Sequence, residues 1–270
     1  MTVRELAEDR RRATELCGRL FRGWDPMFSR TVDPTRDRRM EEIIRALGSV
    51  PGGAGTVLEL GSGPGTLAAR ILRRFPRSRV VAVDTDPVLL TVGATALERF
   101  RGRSAWLLAD LREAGWARGL PFRRFDAAVS SLALHWLEAD EIRAVYRAVR
   151  PLLRPGGVLV NGDVLPSIRP DSSRRPADVG SVPVRRRLRP SAFRSEWERW
   201  WRAVREEPSL RDALRQRRIR MPGRIPPRRA TGPREPVPLA AHERALRDAG
   251  FRRTIVTWQD GGFRVLVGVR

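Results

Sequence analysis

The first residues able to do chemistry sit close together. Glu59, Gly61, Gly63 and Gly65 lie in the run Val57-Leu-Glu-Leu-Gly-Ser-Gly-Pro-Gly-Thr66, and Asp84 follows. Glycine lets a backbone turn sharply and approach a ligand closely, because no Cβ intrudes. A glycine loop that follows a strand and opens a helix is where nucleotide-type ligands meet a doubly wound sheet. Asp84 falls about 20 residues further on, at the end of the next apolar run, where a carboxylate can accept from both ribose hydroxyls. A purely structural turn and a dinucleotide site are the alternatives. The dinucleotide fingerprint wants its third glycine at the place of Thr66, whereas here it is Gly65. Glu59 before the loop would repel a pyrophosphate but suits a cationic ligand.

The chain has two histidines. His135 follows the fourth apolar run, at the sheet edge where ligands of such folds bind, and is the candidate general base. Contact with substrate or cofactor, or packing beside Trp136, stays open for it. His242 is expected to face solvent on a C-terminal helix. Trp197, Trp200, Trp201 and Val204 recur at helical spacing, either as an apolar packing face or as part of an aromatic acceptor pocket. Asp86 and Asp126 are equally readable as turn or helix caps and as ligand contacts. No Cys, His and Asp cluster has metal-ligand spacing, so no metal is expected.

These residues need a frame. Short apolar runs at 56–60, 79–83, 105–109, 125–131 and 157–162 alternate with helical patterns at 66–74, 87–100 and 139–153. Continuous apolar runs read as buried parallel strands, and the alternation predicts an α/β, doubly wound sheet. Ahead of it, a helical stretch over 2–22 is expected to break at Asp25-Pro26, and a second runs from Asp33-Pro34 to Leu47. Residues 166–190 and 221–238, rich in Pro and Arg, read as loops flanking the Trp197 helix. A helix at 239–249 then precedes strands at 252–258 and 263–269, joined by the hairpin signal Asp260-Gly261-Gly262.

The successive motifs resemble the class I S-adenosylmethionine-dependent methyltransferases, especially small-molecule enzymes of the ubiquinone-biosynthesis and trans-aconitate methyltransferase type. Val57–Thr66 resembles their first motif and Val80-Val-Ala-Val-Asp84-Thr-Asp86-Pro87 the second. Leu107-Leu-Ala-Asp110-Leu111 resembles the third, Phe125 to Leu137 the fourth, and Leu153 to Val160 the fifth. The resemblance implies a Rossmann-like, seven-stranded sheet with its last strand antiparallel, and S-adenosyl-L-methionine as cofactor. It implies Glu59, Gly61 and Gly63 near the methionine part, Gly65 with them in the cofactor site, Asp84 on the ribose, and Asp110 and Leu111 around adenine. Ser130 would offer its backbone near the cofactor. Residues 1–50, with Trp24 and Asp25, become a cap or lid, and 51–270 the catalytic domain with a substrate-side insertion at 164–238. Trp24, His135, Trp136 and Trp197 are the candidate acceptor contacts.

Composition bounds the partners. The net charge is +22, yet all 53 basic residues are arginine and are spread along the chain. That pattern suits codon bias and argues against a nucleic-acid partner, leaving a small-molecule acceptor first. The arginines Arg185–Arg187 and Arg217–Arg218 read as a solvated surface or as an attraction for an acidic acceptor. An RNA or protein methyltransferase docking through arginine is the rival reading, and a non-enzymatic binding protein ranks last. No apolar run approaches the ~20 residues a membrane span requires. A charged N-terminus and a single cysteine, Cys17, expected as a small buried residue, point to the cytoplasm. Oligomeric state is not legible.

Overall fold

The structure is a computed structural model and describes residues 3–50, 53–167, 190–222 and 236–270. Seven strands form one sheet: β1 (Thr56–Leu60), β2 (Arg79–Asp84), β3 (Ser104–Leu108), β4 (Phe125–Ser131), β5 (Leu153–Val164), β6 (Arg253–Asp260) and β7 (Phe263–Val269). Their order is β3-β2-β1-β4-β5-β7-β6. Neighbours pair in parallel from β3 to β5, and β7 runs antiparallel between β5 and β6. The sheet therefore has the doubly wound, seven-stranded form with an antiparallel last strand that the motifs imply. The winding reverses between β1 and β4, which opens a crevice at their carboxyl ends.

The runs in β1, β2, β4 and β5 are buried on both faces, as parallel strands between helices must be, while the edge strand β3 is half-buried. On one face, Val57, Ala127, Val129 and Val160 pack against α2 (Arg36–Gly48) and α3 (Thr66–Arg74). On the other, Leu58, Leu60, Ala128 and Leu159 pack against α5 (Ala139–Val149) and α8 (Leu239–Asp248). Alternate residues of a strand point to opposite faces, so each strand feeds both cores.

A third cluster joins α1 (Val3–Thr31), α4 (Pro87–Ala96), α6 (Pro190–Glu206) and α7 (Arg211–Arg220). The expected break at Asp25-Pro26 does not occur, because α1 runs through Pro26. A mid-helix proline costs about 3 kcal/mol. Phe21, Trp24 and Met27 around it are all buried, and each such side chain gains roughly 1.5–3 kcal/mol. Their burial requires the helical register to continue. Cys17 is buried in this cluster. The Trp200 indole N–H donates to the Leu20 carbonyl at 3.1 Å, fastening α6 to α1.

The second helix of the insertion, α7, follows α6 with no break that the sequence pattern marks, and it is held by charge. Arg217 Nε donates to Asp86 Oδ2 at 2.5 Å, with both side chains buried. The guanidinium also lies 4.4 Å from the Trp201 ring centroid. Arg217 is thus neither a solvated surface residue nor an attraction for an acceptor. Removing one member of a buried pair typically costs about 3–5 kcal/mol. Arg185–Arg187 and most of the two loops expected at 166–190 and 221–238 lie outside the described residues. Among the described residues no helix is long and apolar enough to cross a membrane.

Candidate active site

The three glycines of the loop serve different needs. All have left-handed backbone, with φ of 64°, 55° and 77° at Gly61, Gly63 and Gly65. A Cβ on Gly61 would lie 2.4 Å from the Ala133 side chain, so it admits the turn after β4. A Cβ on Gly65 would lie 2.5 Å from the Trp106 ring, so it admits β3 packing. Gly63 is the open one, with only Trp24 near its face, at 3.8 Å. The loop is tied to β2: Ser62 N–H donates to the Val83 carbonyl at 2.9 Å, and Gly63 N–H to Asp84 Oδ2 at 2.7 Å.

Beside the loop is a cavity of about 80 Å³ lined by residues including Trp24, Arg36, Glu59, Gly63, Ser131 and Leu132. Glu59 is 3% exposed, and its Oε2 has no hydrogen-bond partner among the described residues. Burial pushes its carboxyl up to about 8; Asp84 and Asp25 add to the rise, while the Ala68 N–H and Arg36 oppose it. Asp84 is also raised, to about 6, by burial. Unspent acceptor capacity deep in an apolar fold destabilises the protein unless a donor arrives. A ligand ammonium at Glu59 supplies such a donor, and Asp84, whose two oxygens accept from the Gly63 and Asp86 N–H groups, has lone pairs left for hydroxyls, so these residues fit S-adenosylmethionine.

Asp110 lies at the neighbouring strand end, where Ala109 N–H donates to the Asp84 carbonyl at 3.0 Å. Its carboxylate accepts from Arg112 Nε at 2.9 Å. Leu111 is half-buried against the sheet core. The Ser130 hydroxyl donates to the Leu60 carbonyl at 3.0 Å, and Ser131 and Leu132 rather than Ser130 line the cavity. Leu132 has φ 51°, a left-handed conformation that costs an ordinary residue roughly 1–2 kcal/mol. Strain of this size is characteristic of sites where the chain must be aimed.

Leu132 aims the turn that carries His135. The His135 ring Nδ1 is 2.7 Å from Asp163 Oδ1, and its backbone N–H donates to Asp163 Oδ2 at 3.1 Å. Asp163 is the last residue but one of β5 and is fully buried. Burial alone would raise its carboxyl, but His135, the Val164 N–H and Arg39 outweigh that and hold it below the usual carboxylate range. An ionised carboxylate on Nδ1 selects the Nδ1–H tautomer and leaves the Nε2 lone pair available. The His135 side chain is 22% exposed, so the ring is accessible. Trp136, 49% exposed, sets its ring 4.8 Å from the imidazole.

The other expectations distribute as follows. Trp24 reaches the cavity, and Trp197 stands behind it at 5.8 Å between centroids, outside the cavity lining. Asp86 caps α4, accepting from Val88 N–H at 2.9 Å, and Asp126 accepts from Thr56 N–H at 2.7 Å. Both carboxylates are engaged by the protein itself. His242 does not face solvent: it is 1% exposed and its Nδ1 lies 2.8 Å from the Tyr146 hydroxyl. It shares a helix face with Leu239, Ala245 and Leu246, which decides its burial.

Two residues of the site, Asp163 and Arg36, were missed in the sequence, as was the burial of Arg39. Arg36 lines the cavity, donating from Nε to Asp25 Oδ1 at 2.8 Å and from Nη2 to Thr66 Oγ1 at 3.3 Å. Arg36 and Arg39 each fall four residues before Met40 and Ile43, on the apolar face of α2. That spacing was the available signal.

Comparison with known proteins agrees with this geometry. A methyltransferase-domain family matches residues 58–159. An uncharacterized methyltransferase of Mycobacterium bovis is 41% identical over 121 residues, 44% of this chain and 56% of that protein. The trans-aconitate 2-methyltransferase of an Azoarcus species is 36% identical over 124 residues, 46% of this chain and 45% of that protein. The chain thus spans about half the length of these relatives. An O-methyltransferase family structure from Burkholderia thailandensis superposes with TM-score 0.51 at 20% identity, covering 88% of this chain and 57% of that one. Residues 58–159 are thus similar to a methyltransferase domain, and the chain shares its fold with a solved O-methyltransferase family structure.

Proposed function

We propose that the chain transfers a methyl group from S-adenosylmethionine to a hydroxyl of a small-molecule acceptor. The observation that carries the reading is the His135–Asp163 pair at the same sheet edge as the glycine loop and the unsatisfied Glu59. Bound there, the cofactor supplies an activated methyl group. Glu59 binds its ammonium, Arg36 is placed at the same end, Asp84 takes the ribose hydroxyls, and Asp110 and Leu111 border the adenine. The chain's remaining task is to orient the acceptor and exclude water, which in well-oriented systems supplies ~7–11 kcal/mol. His135 accepts the acceptor's hydroxyl proton at Nε2, and Asp163 stabilises the resulting imidazolium. A base is useful only where the acceptor has a proton to lose, which favours a hydroxyl over a carboxylate.

Residues 1–50 act as the cap, with Trp24 closing the cradle over Gly63, and the insertion within 164–238 borders the acceptor. Trp136 offers the acceptor an exposed ring beside the base. The single buried Cys17 suits a reducing cytoplasm. Calorimetric titration with S-adenosylmethionine and with a nicotinamide dinucleotide tests the cofactor assignment. Micromolar binding of the first alone is expected; binding of the dinucleotide alone, or of neither, overturns it.

A further inference from the structure

We infer that Arg36 and Ser131 receive the carboxylate of the cofactor's methionine end, so that the cavity beside the glycine loop reads a zwitterion and rejects a donor lacking that carboxylate. The inference deepens the assignment of S-adenosylmethionine and rests on it.

Glu59 lies in register with Val129, so Ser131, two residues further along β4, faces the same side of the sheet, nearer its carboxyl edge. That is the side covered by α2, whose first residue is Arg36. All three residues line the one cavity. Arg36 is 5% exposed, yet no ion pair joins it to Glu59 among the described residues. Two buried groups of opposite sign that line one space without touching leave room for a ligand carrying both signs. Glu59 Oε2 and Ser131 Oγ are both buried without a hydrogen-bond partner. Such groups destabilise a fold unless a ligand pairs with them.

The Arg36 guanidinium is held from outside the cavity. Asp25, which is not in the lining, accepts from Nε at 2.8 Å and lies 2.7 Å from Nη2. Arg70 holds Asp25 in turn, at 3.2 Å. Nη2 also donates to Thr66 Oγ1 at 3.3 Å, and the Phe28 ring centroid lies 5.4 Å from the guanidinium carbon. These bonds use Nε and Nη2, whereas Nη1 makes none among the described residues. A fixed guanidinium suits a planar carboxylate, and a serine hydroxyl adds one O–H donor. At about 80 Å³ the cavity is far below the ~300–1,000 Å³ that a whole small ligand occupies, so it admits one end of one. An α-amino acid end offers an ammonium to Glu59 and a carboxylate to Arg36 and Ser131.

Calorimetric titration of the full chain with S-adenosylmethionine and with decarboxylated S-adenosylmethionine tests this. The native chain should bind the decarboxylated donor at least ~30-fold more weakly, because it leaves a buried cation unpaired. In Arg36→Met the two donors should bind within about threefold of each other. Arg36→Met/Asp25→Asn, which strands no carboxylate, should show the same loss of preference should the single variant fail to fold. Ser131→Ala should weaken S-adenosylmethionine about tenfold and leave the decarboxylated donor unchanged. Equal affinity for the two donors in the native chain, or a preference that persists once Arg36 is replaced, overturns the proposal. Binding of neither donor to the native chain overturns the cofactor assignment itself, and the proposal with it.

Discussion

Replacing Asp163 by Asn tests the base most sharply. The carboxylate accepts three bonds: Oδ1 from the His135 ring at 2.7 Å and from Val164 N–H at 2.8 Å, and Oδ2 from His135 N–H at 3.1 Å. An amide of the same shape has only one acceptor oxygen. If that oxygen keeps the Oδ1 position, its NH2 faces the His135 N–H, two donors against each other. If it flips, the ring and Val164 lose their acceptor. A hydrogen bond to a charged group contributes about 1.5–3 kcal/mol, or ~10–150-fold in rate at about 1.4 kcal/mol per tenfold. Turnover in Asp163→Asn should fall within that range, while His135→Ala should lose ~100-fold or more. The double variant should be no slower than His135→Ala, because the carboxylate acts only through the ring. Single-turnover rates at saturating S-adenosylmethionine measure all three. A double variant whose loss is the product of the single losses refutes the coupling, and an Asp163→Asn enzyme within threefold of native refutes the need for a carboxylate.

Three further outcomes follow from the same geometry. The Glu59 carboxyl is raised by burial to about 8, above its unfolded value, so the folded, ligand-free chain holds the extra proton; stability from this group is present below about pH 4.5 and is lost as pH rises towards 8, at no more than ~1.4 kcal/mol per unit. Glu59→Gln should therefore melt higher than native at pH 8 and bind S-adenosylmethionine at least tenfold more weakly, by calorimetry. Gly63→Ala should fold, with a strain of roughly 1–2 kcal/mol, but lose cofactor affinity, whereas Gly65→Ala should be the less stable because its Cβ meets the Trp106 ring at 2.5 Å; equal melting points would count against the different roles given to these glycines. Arg217→Met strands Asp86 and should cost about 3–5 kcal/mol, a fall of ~6–20 °C in Tm, partly recovered in Arg217→Met/Asp86→Asn.

The sheet was legible because its strands are continuous apolar runs with glycine turns between them, and those runs are local. The glycine loop, Asp84 and His135 were legible for the same reason: each sits at a strand end, and strand ends of a doubly wound sheet converge. Pro26 misled because a local breaking signal was outweighed by Phe21, Trp24 and Met27 burying against distant α4 and α6. His242 was placed outward by its polarity, although its neighbours at helical spacing are buried. Asp163 and Arg36 escaped because their roles depend on partners 28 and 30 residues away in sequence. Charged residues on an apolar face signal only that a partner exists.

The most direct measurement is to incubate the chain with methyl-labelled S-adenosylmethionine and an extract, then separate small molecules from RNA and protein. Label is predicted in the small-molecule fraction, on a hydroxyl oxygen, and lost in His135→Ala. Label confined to RNA or protein, or label on small molecules that persists undiminished in His135→Ala, would contradict a base-assisted methyl transfer to a small-molecule hydroxyl.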